Sequence, residues 1–356
     1  MYPKPSPACR SLFLSLIACC ITARAAGDEP RVQVVVGHLL PSEGGPQGAQ
    51  SPLDSPFGID FDSGGEMVIV ELAGGRVFRR TAAGELLRIA GDGSTGRAGD
   101  GKPAFQATFN GMHNVAVTPT GDIYIADSWN HSIRRIDKPS GTIQTVAGTG
   151  AAGFRGDGGA ATQAAFDYIM CVALNSSSDR LYIADLNNRR VRMLDLTTGI
   201  VQTVAGNGKK GVPLDGALAL DGPLVDPRAV AVDSLGQVYV LEREGHALRR
   251  VTPDGRIHTV AGTGQKGYQD GPARQAQFAS PKHLCVDDAD NVYIADDENG
   301  AIRKYDPKSQ TITTVVGHGR GTPAVELLHP HGVCFEKGSL YVVDTGDHRI
   351  LKVALP

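Results

Sequence analysis

The sequence has no excess of basic charge. Its 356 residues hold 35 Lys and Arg against 38 Asp and Glu, a formal charge of −3. A protein that follows a phosphate backbone needs a positive field, so nucleic acid is excluded as a partner. Long apolar runs are lacking too. The run Leu12 to Ala18 is too short to cross a bilayer, which takes about 20 apolar residues. Lys4 and Arg10 precede it and small residues follow, which is the layout of a secretory signal over residues 1–26. Ala23-Arg24-Ala25 offers the small residues an ordinary signal peptidase requires. Leu16-Ile17-Ala18-Cys19 is the competing lipobox-like reading, which would leave Cys19 as a lipid anchor. The expected product is a secreted or periplasmic protein with no membrane span, residues 27–356 forming a single domain.

Cysteine is scarce. Cys9, Cys19 and Cys20 fall in the leader, and Cys171, Cys285 and Cys334 remain, an odd and sparse set that excludes a disulfide framework. All three lie in apolar strand patterns and are expected to be small buried hydrophobes. Aromatics make up 6% of the chain, too few for an extended sugar-stacking groove. The single tryptophan, Trp129, falls in a loop and is the candidate anchor for a protein partner. A Gly-x-Ser-x-Gly elbow, a Cys-x-x-Cys pair and a His-Glu-x-x-His helix are also missing, so no catalytic constellation stands out.

Glycine, by contrast, is abundant: 45 of 356 residues, where about 7% is usual. With 21 Pro it implies many short elements joined by tight turns. Those elements repeat. Ile123-Tyr-Ile-Ala-Asp127, Leu181-Tyr-Ile-Ala-Asp185, Val238-Tyr-Val-Leu-Glu242, Val292-Tyr-Ile-Ala-Asp296 and Leu340-Tyr-Val-Val-Asp344 are one motif, and Met67-Val-Ile-Val-Glu71 is a degenerate copy. Their terminal acids are spaced by 56, 58, 57, 54 and 48 residues. A Val-Ala-Gly marker keeps the same beat at Gly148, Gly206 and Gly262, with Ile89-Ala-Gly91 before them and Val315-Val-Gly317 after. Alternation and turn residues divide each unit into four short strands, the signature of an all-β, six-bladed β-propeller of four-stranded antiparallel blades. The last unit stops after three strands. Val32-Gln-Val-Val-Val-Gly37 matches the missing fourth, so the N-terminal strand is expected to complete the last blade and close the ring.

Asp127-Ser-Trp-Asn-His-Ser-Ile-Arg-Arg-Ile, Asp185-Leu-Asn-Asn-Arg-Arg-Val-Arg-Met-Leu and Asp344-Thr-Gly-Asp-His-Arg-Ile-Leu-Lys-Val resemble NHL repeats. The resemblance covers essentially the whole chain after the leader and is best in blades 2, 3 and 6. It implies a scaffold or binding module, with lyases and lactonase-like hydrolases as the enzymatic alternatives.

Residues that recur in every blade explain the fold, so function is sought where the blades differ. The acids Glu71, Asp127, Asp185, Glu242, Asp296 and Asp344 recur and are read as turn caps. The glycine-rich loops after each fourth strand also recur and are read as self-bonded covers of a blade edge. Each offers too few carboxylates for calcium, as with Asp215 and Asp221. The start of each inner strand does vary, carrying Phe57, His113, Met170, Arg228, Lys282 and His331, with His283 following in blade 5. His113, Arg228, Lys282, His283 and His331 are therefore the candidate site. It would lie at the mouth of the central channel and bind a small polar or anionic ligand. In the amidating lyases that share this fold, zinc is held by histidines at this place in three blades. Pro330-His331-Gly332-Val333 matches that pattern and His113 matches it in part. Arg228 occupies the third place, and His283 and His329 are out of phase along their strands. No cofactor is expected; zinc and calcium are the two ions weighed.

Overall fold

The computed structural model describes residues 29–37 and 53–355. The leader, with Cys19, lies outside the described residues. Six antiparallel sheets follow one another along the chain. Blade 1 runs Pro56–Phe61, Met67–Glu71, Val77–Arg80 and Leu86–Ala90. Blade 2 runs Met112–Val117, Ile123–Asp127, Ser132–Ile136 and Ile143–Ala147, and blade 3 Ile169–Leu174, Arg180–Asp185, Arg190–Asp195 and Ile200–Ala205. Blade 4 is Pro227–Val232, Val238–Glu242, Ala247–Val251 and Ile257–Ala261; blade 5 is His283–Val286, Val292–Asp296, Ala301–Asp306 and Thr311–Gly317. Blade 6 takes three strands from the end of the chain, Pro330–Glu336, Ser339–Asp344 and Arg349–Ala354. Its outer strand is Arg31–Val36, paired antiparallel to Arg349–Ala354 with Val32 opposite Val353. The ring therefore closes as the sequence predicts.

The second strands read as unbroken apolar runs because both faces are covered by neighbouring blades; Ile123–Asp127 and Val292–Asp296 are buried at every position. The outer strands face solvent on one side, so Arg31–Val36 alternates. The core is accordingly a ring of layers between blades. Val68 and Val70 of blade 1 pack with Val115 and Ile125 of blade 2, and Val343 and Ile350 of blade 6 pack with Ile59 and Ile69 of blade 1.

The repeated acids are more than turn caps. Five of the six accept the backbone N–H of a residue on the approach to their own inner strand, as Asp127 Oδ1 does from Asn110 (2.8 Å) and Asp296 Oδ1 from Ala279 (2.7 Å). Most also face an arginine of the third strand, as in Arg303 with Asp296 at 2.7 Å. The glycine-rich loops do cover an edge. Gly158 N–H donates to Val201 O on the outer strand of blade 3, and Gly159–Ala160 adds a short fifth strand there. Their aspartates reach the same buried arginines, Asp157 to Arg192 at 2.7 Å and Asp270 to Arg303 at 2.7 Å. Asp215 is engaged by Thr259 N–H and Arg274. Arginine and backbone donors thus hold Asp157, Asp215 and Asp270.

Candidate functional site: the channel mouth

The variable residues at the head of each inner strand are set apart by a backbone device. Pairing of the first and second strands slips by one residue at Phe57, His113, Met170, Arg228 and His331, between flanking partners that remain in register. A β-bulge frees the extra residue from the ladder and re-aims its side chain. In blade 5 the paired strand begins at His283, just after Lys282. Five bulges and one strand start thus present six side chains to the axis at one level.

They fill the mouth. The Phe57 ring lies 4.8 Å from His113 and 4.4 Å from His331 between centroids, and the Arg228 guanidinium reaches across the ring to 5.8 Å from Phe57. His113 Nδ1 donates to Gly111 O at 2.8 Å. Trp129 stands at the rim, 42% exposed, with its ring 6.1 Å from His113. Arg228 is 3% exposed, and its one hydrogen bond in the described structure runs from Nη1 to Met170 O at 3.4 Å. Its buried Nε has no partner there. The carboxylate two residues away, Asp226, gives its Oδ2 to Arg243 at 2.9 Å, and its Oδ1 is buried without a partner. Burial, then Arg243, pulls the Arg228 pKa down to about 10. Burial is also the first cause that lowers His113 to about 3, followed by Arg228. His331 falls to about 3 for the same first reason, with Lys282 and Arg228 adding to it.

His283 does not join this cluster. It sits one level deeper, where Nδ1 donates to Val333 O (3.2 Å) and Nε2 accepts from Asn114 Nδ2 (2.9 Å), tying blade 5 to blades 6 and 2. Below it a cavity of about 310 Å³ is lined by Asp60, Cys285, Cys334 and inner-strand aliphatics. The three thiols are free, and burial pushes each above its ordinary range. Cys171 is the buried hydrophobe expected, whereas Cys285 and Cys334 are half-buried in this lower channel wall.

Two residues at the mouth differ from the expectation. His329, out of phase by strand alternation, precedes the strand and has a positive φ of 60°, so alternation does not govern it. Its Nδ1 lies 3.1 Å from Asp297 Oδ1. Asp297, not singled out in the sequence, is the hub: His331 Nε2 is 3.5 Å from the same oxygen, and Lys282 Nζ is 3.4 Å from Oδ2. The tri-histidine arrangement of the amidating lyases is not formed, since Arg228 holds the third place and His113 is turned to Gly111 O.

A family model described as NHL repeat matches residues 109–136 and 327–353, which are the first three strands of blades 2 and 6 with their approaches. The chain is a six-bladed propeller that carries NHL repeats in blades 2 and 6. Blade 3, whose Asp185-Leu-Asn-Asn-Arg-Arg segment also resembles the repeat, lies outside the matched residues. Among curated relatives, NHL repeat-containing protein 2 of Gallus gallus is 28% identical over 340 residues, covering 84% of this chain and 46% of that protein. This NHL chain spans less than half the length of the curated relatives it matches. Among solved structures, an auxiliary nutrient binding protein from Bacteroides ovatus superposes with a TM-score of 0.66 at 14% identity, over 92% of this chain and 76% of that one. Virginiamycin B lyase from Staphylococcus aureus gives 0.52 at 13% identity, over 85% and 95%. At such identities these likenesses establish the fold. Among the described residues no helix is long and apolar enough to cross a membrane.

Proposed function

We propose that this NHL propeller is an exported binding module that takes a small anionic ligand, a carboxylate in the first instance, at the mouth of its central channel. Arg228 carries the reading. A guanidinium buried to 3% exposure normally has a carboxylate against it, because an unpaired buried charge costs several kcal/mol. Arg228 has one long bond to a carbonyl and an orphaned Nε instead. A ligand carboxylate would supply the missing partner, and the Lys282 ammonium and the Phe57 face border the same space. The nutrient-binding description of the Bacteroides ovatus neighbour is in keeping with such a role. Trp129 on the rim is the place where a protein partner would gain purchase. Residues 1–26 serve in this reading as a signal peptide, and residues 27–356 as the exported domain.

The test is calorimetric titration of the full propeller, in chelator, with a panel of mono- and dicarboxylates and inorganic phosphate. Expected is saturable binding of at least one anion that Arg228→Gln weakens by roughly tenfold to a hundredfold, with unchanged far-UV circular dichroism. Binding that survives the double substitution of Arg228 and Lys282 by Gln would overturn the proposal, and so would the absence of binding across the panel.

A further inference from the structure

In two blades the turn that follows the second strand carries a strut to the next blade. In blade 2 the Ser128 hydroxyl donates to Ile169 O of the next blade, and in blade 6 the Thr345 hydroxyl donates to Pro56 O at 2.6 Å. These struts tie neighbouring blades together. Blade 5 has Asp297 at the same place, and an ionised carboxylate cannot donate to a carbonyl. The strut is given up, and the acid turns to His329 and His331 of blade 6. The position varies from blade to blade, carrying Leu72, Ser128, Leu186, Arg243, Asp297 and Thr345, and variation of this kind is where a site is sought.

The spacing of the three groups decides what they suit. Asp297 Oδ1 is 3.1 Å from His329 Nδ1 and 3.5 Å from His331 Nε2, and all three donor atoms lie within 4.8 Å of one another. A distance of 3.5 Å is long for an N–H···O bond, whose ordinary range ends near 3.2 Å. It is close to the separation of donor atoms around a tetrahedral ion, since bonds of about 2.0–2.1 Å put neighbouring donors roughly 3.3 Å apart. The other histidines of this level of the ring behave differently. His131, His246 and His348 each accept a backbone N–H of the following blade through Nδ1, at 3.2, 3.3 and 3.2 Å. The His329 ring bonds Asp297 and lies 6.2 Å from the His331 ring between centroids, and His331 Nδ1 is buried without a partner.

We infer that Asp297, His329 and His331 form a divalent transition-metal site, with zinc the fitting ion, on the blade 5–6 side of the channel mouth. Two imidazoles and one carboxylate are a donor set suited to zinc and its first-row neighbours, and they leave coordination positions for water or an anion. The set is drawn from two adjacent blades, unlike a histidine from each of three blades. It does not require the anion reading of the mouth. Where both hold, a bound cation beside Arg228 and Lys282 and a bound anion would each raise the other's affinity by the same factor.

The experiment uses untagged, chelator-stripped full propeller titrated with Co²⁺ in a buffer free of carboxylates and phosphate. Expected is one equivalent bound, a visible absorption band of the strength seen for four- or five-coordinate cobalt, and displacement by Zn²⁺. His329→Ala should weaken binding by roughly tenfold or more, whereas His258→Ala on the outer strand of blade 4 should not. The His329 side chain is 57% exposed, so its removal spares the fold, whereas Asp297 is buried. Failure to bind Co²⁺, or binding that His329→Ala leaves unchanged, overturns the site. The carboxylate titrations in chelator stand apart from this result, so the two proposals fail separately.

Discussion

Asp60, deep in the channel wall, is the acid with the plainest account of its ionisation. Burial raises its pKa to about 6, against the opposing pull of the Val117 and Phe61 N–H groups. An unfolded aspartate titrates near 3.9, so between about pH 4 and pH 6 the folded state holds a proton that the unfolded state has released. The sign follows: this group's contribution to stability is intact below about pH 4, declines as pH rises and is fully lost above about pH 6. Asp60→Asn cannot ionise. Its melting temperature relative to wild type should rise from about pH 4 to about pH 7 and then level off; a difference that stays flat across that span would refute the assignment. The channel mouth divides at this scale into what the sequence discloses and what it does not. Arg228, Lys282 and His331 are legible because they occupy one repeat position and differ from blade to blade. Asp297 is hidden beside Asp296, whose place in the repeat accounts for an acid there. His329 is hidden because a bulge and a left-handed residue, and not strand alternation, set its direction.

At the scale of elements, the loops after the fourth strands of blades 2 and 4 are staples with a charged tooth. Asp157 Oδ1 accepts from Arg192 Nε and Nη2 at 3.0 and 2.7 Å, while Oδ2 accepts from the Thr203 hydroxyl. Asp270 does the same with Arg303 and with Thr314 N–H at 2.9 Å. Both guanidiniums are fully buried, so removing a loop carboxylate strands part of a charge that water cannot reach. Asp157→Asn and Asp270→Asn should therefore each lower unfolding stability by roughly 2–3 kcal/mol, as charged hydrogen bonds do. The costs should be similar in the two blades, because the geometry repeats. Urea unfolding of the two variants checks this, and values under about 0.5 kcal/mol would reduce the pairs to surface decoration. The sequence shows the glycine and aspartate of these loops and the arginine of each third strand as separate regularities. Their pairing, 35 residues apart for Asp157 and Arg192, is a matter of how the loop folds over the next blade, which periodicity alone does not encode.

At the scale of the molecule, every blade is stable only between two neighbours, so the ring depends on its closure. That closure is one six-residue strand, Arg31–Val36, joined to Arg349–Ala354 and braced by Val32 N–H to Thr322 O at 2.9 Å. Val34 points inward at 8% exposure and belongs to the same apolar layer as Leu351 and Val353, while Gln33 points out. Val34→Asp buries an unpaired carboxylate in that layer and should cost roughly 3 kcal/mol or more, whereas Gln33→Asp on the same strand should cost little. Losing the strand would also bare the edge of Arg349–Ala354, whose unpaired backbone groups invite another chain. The Val34 variant should thus combine a lower urea midpoint with association in light scattering. Because the channel mouth is assembled from all six blades, its anion affinity should fall as well, although Val34 is remote from Arg228. A Val34→Asp protein as stable and monomeric as Gln33→Asp would mean that the other five blades hold the ring without its closing strand.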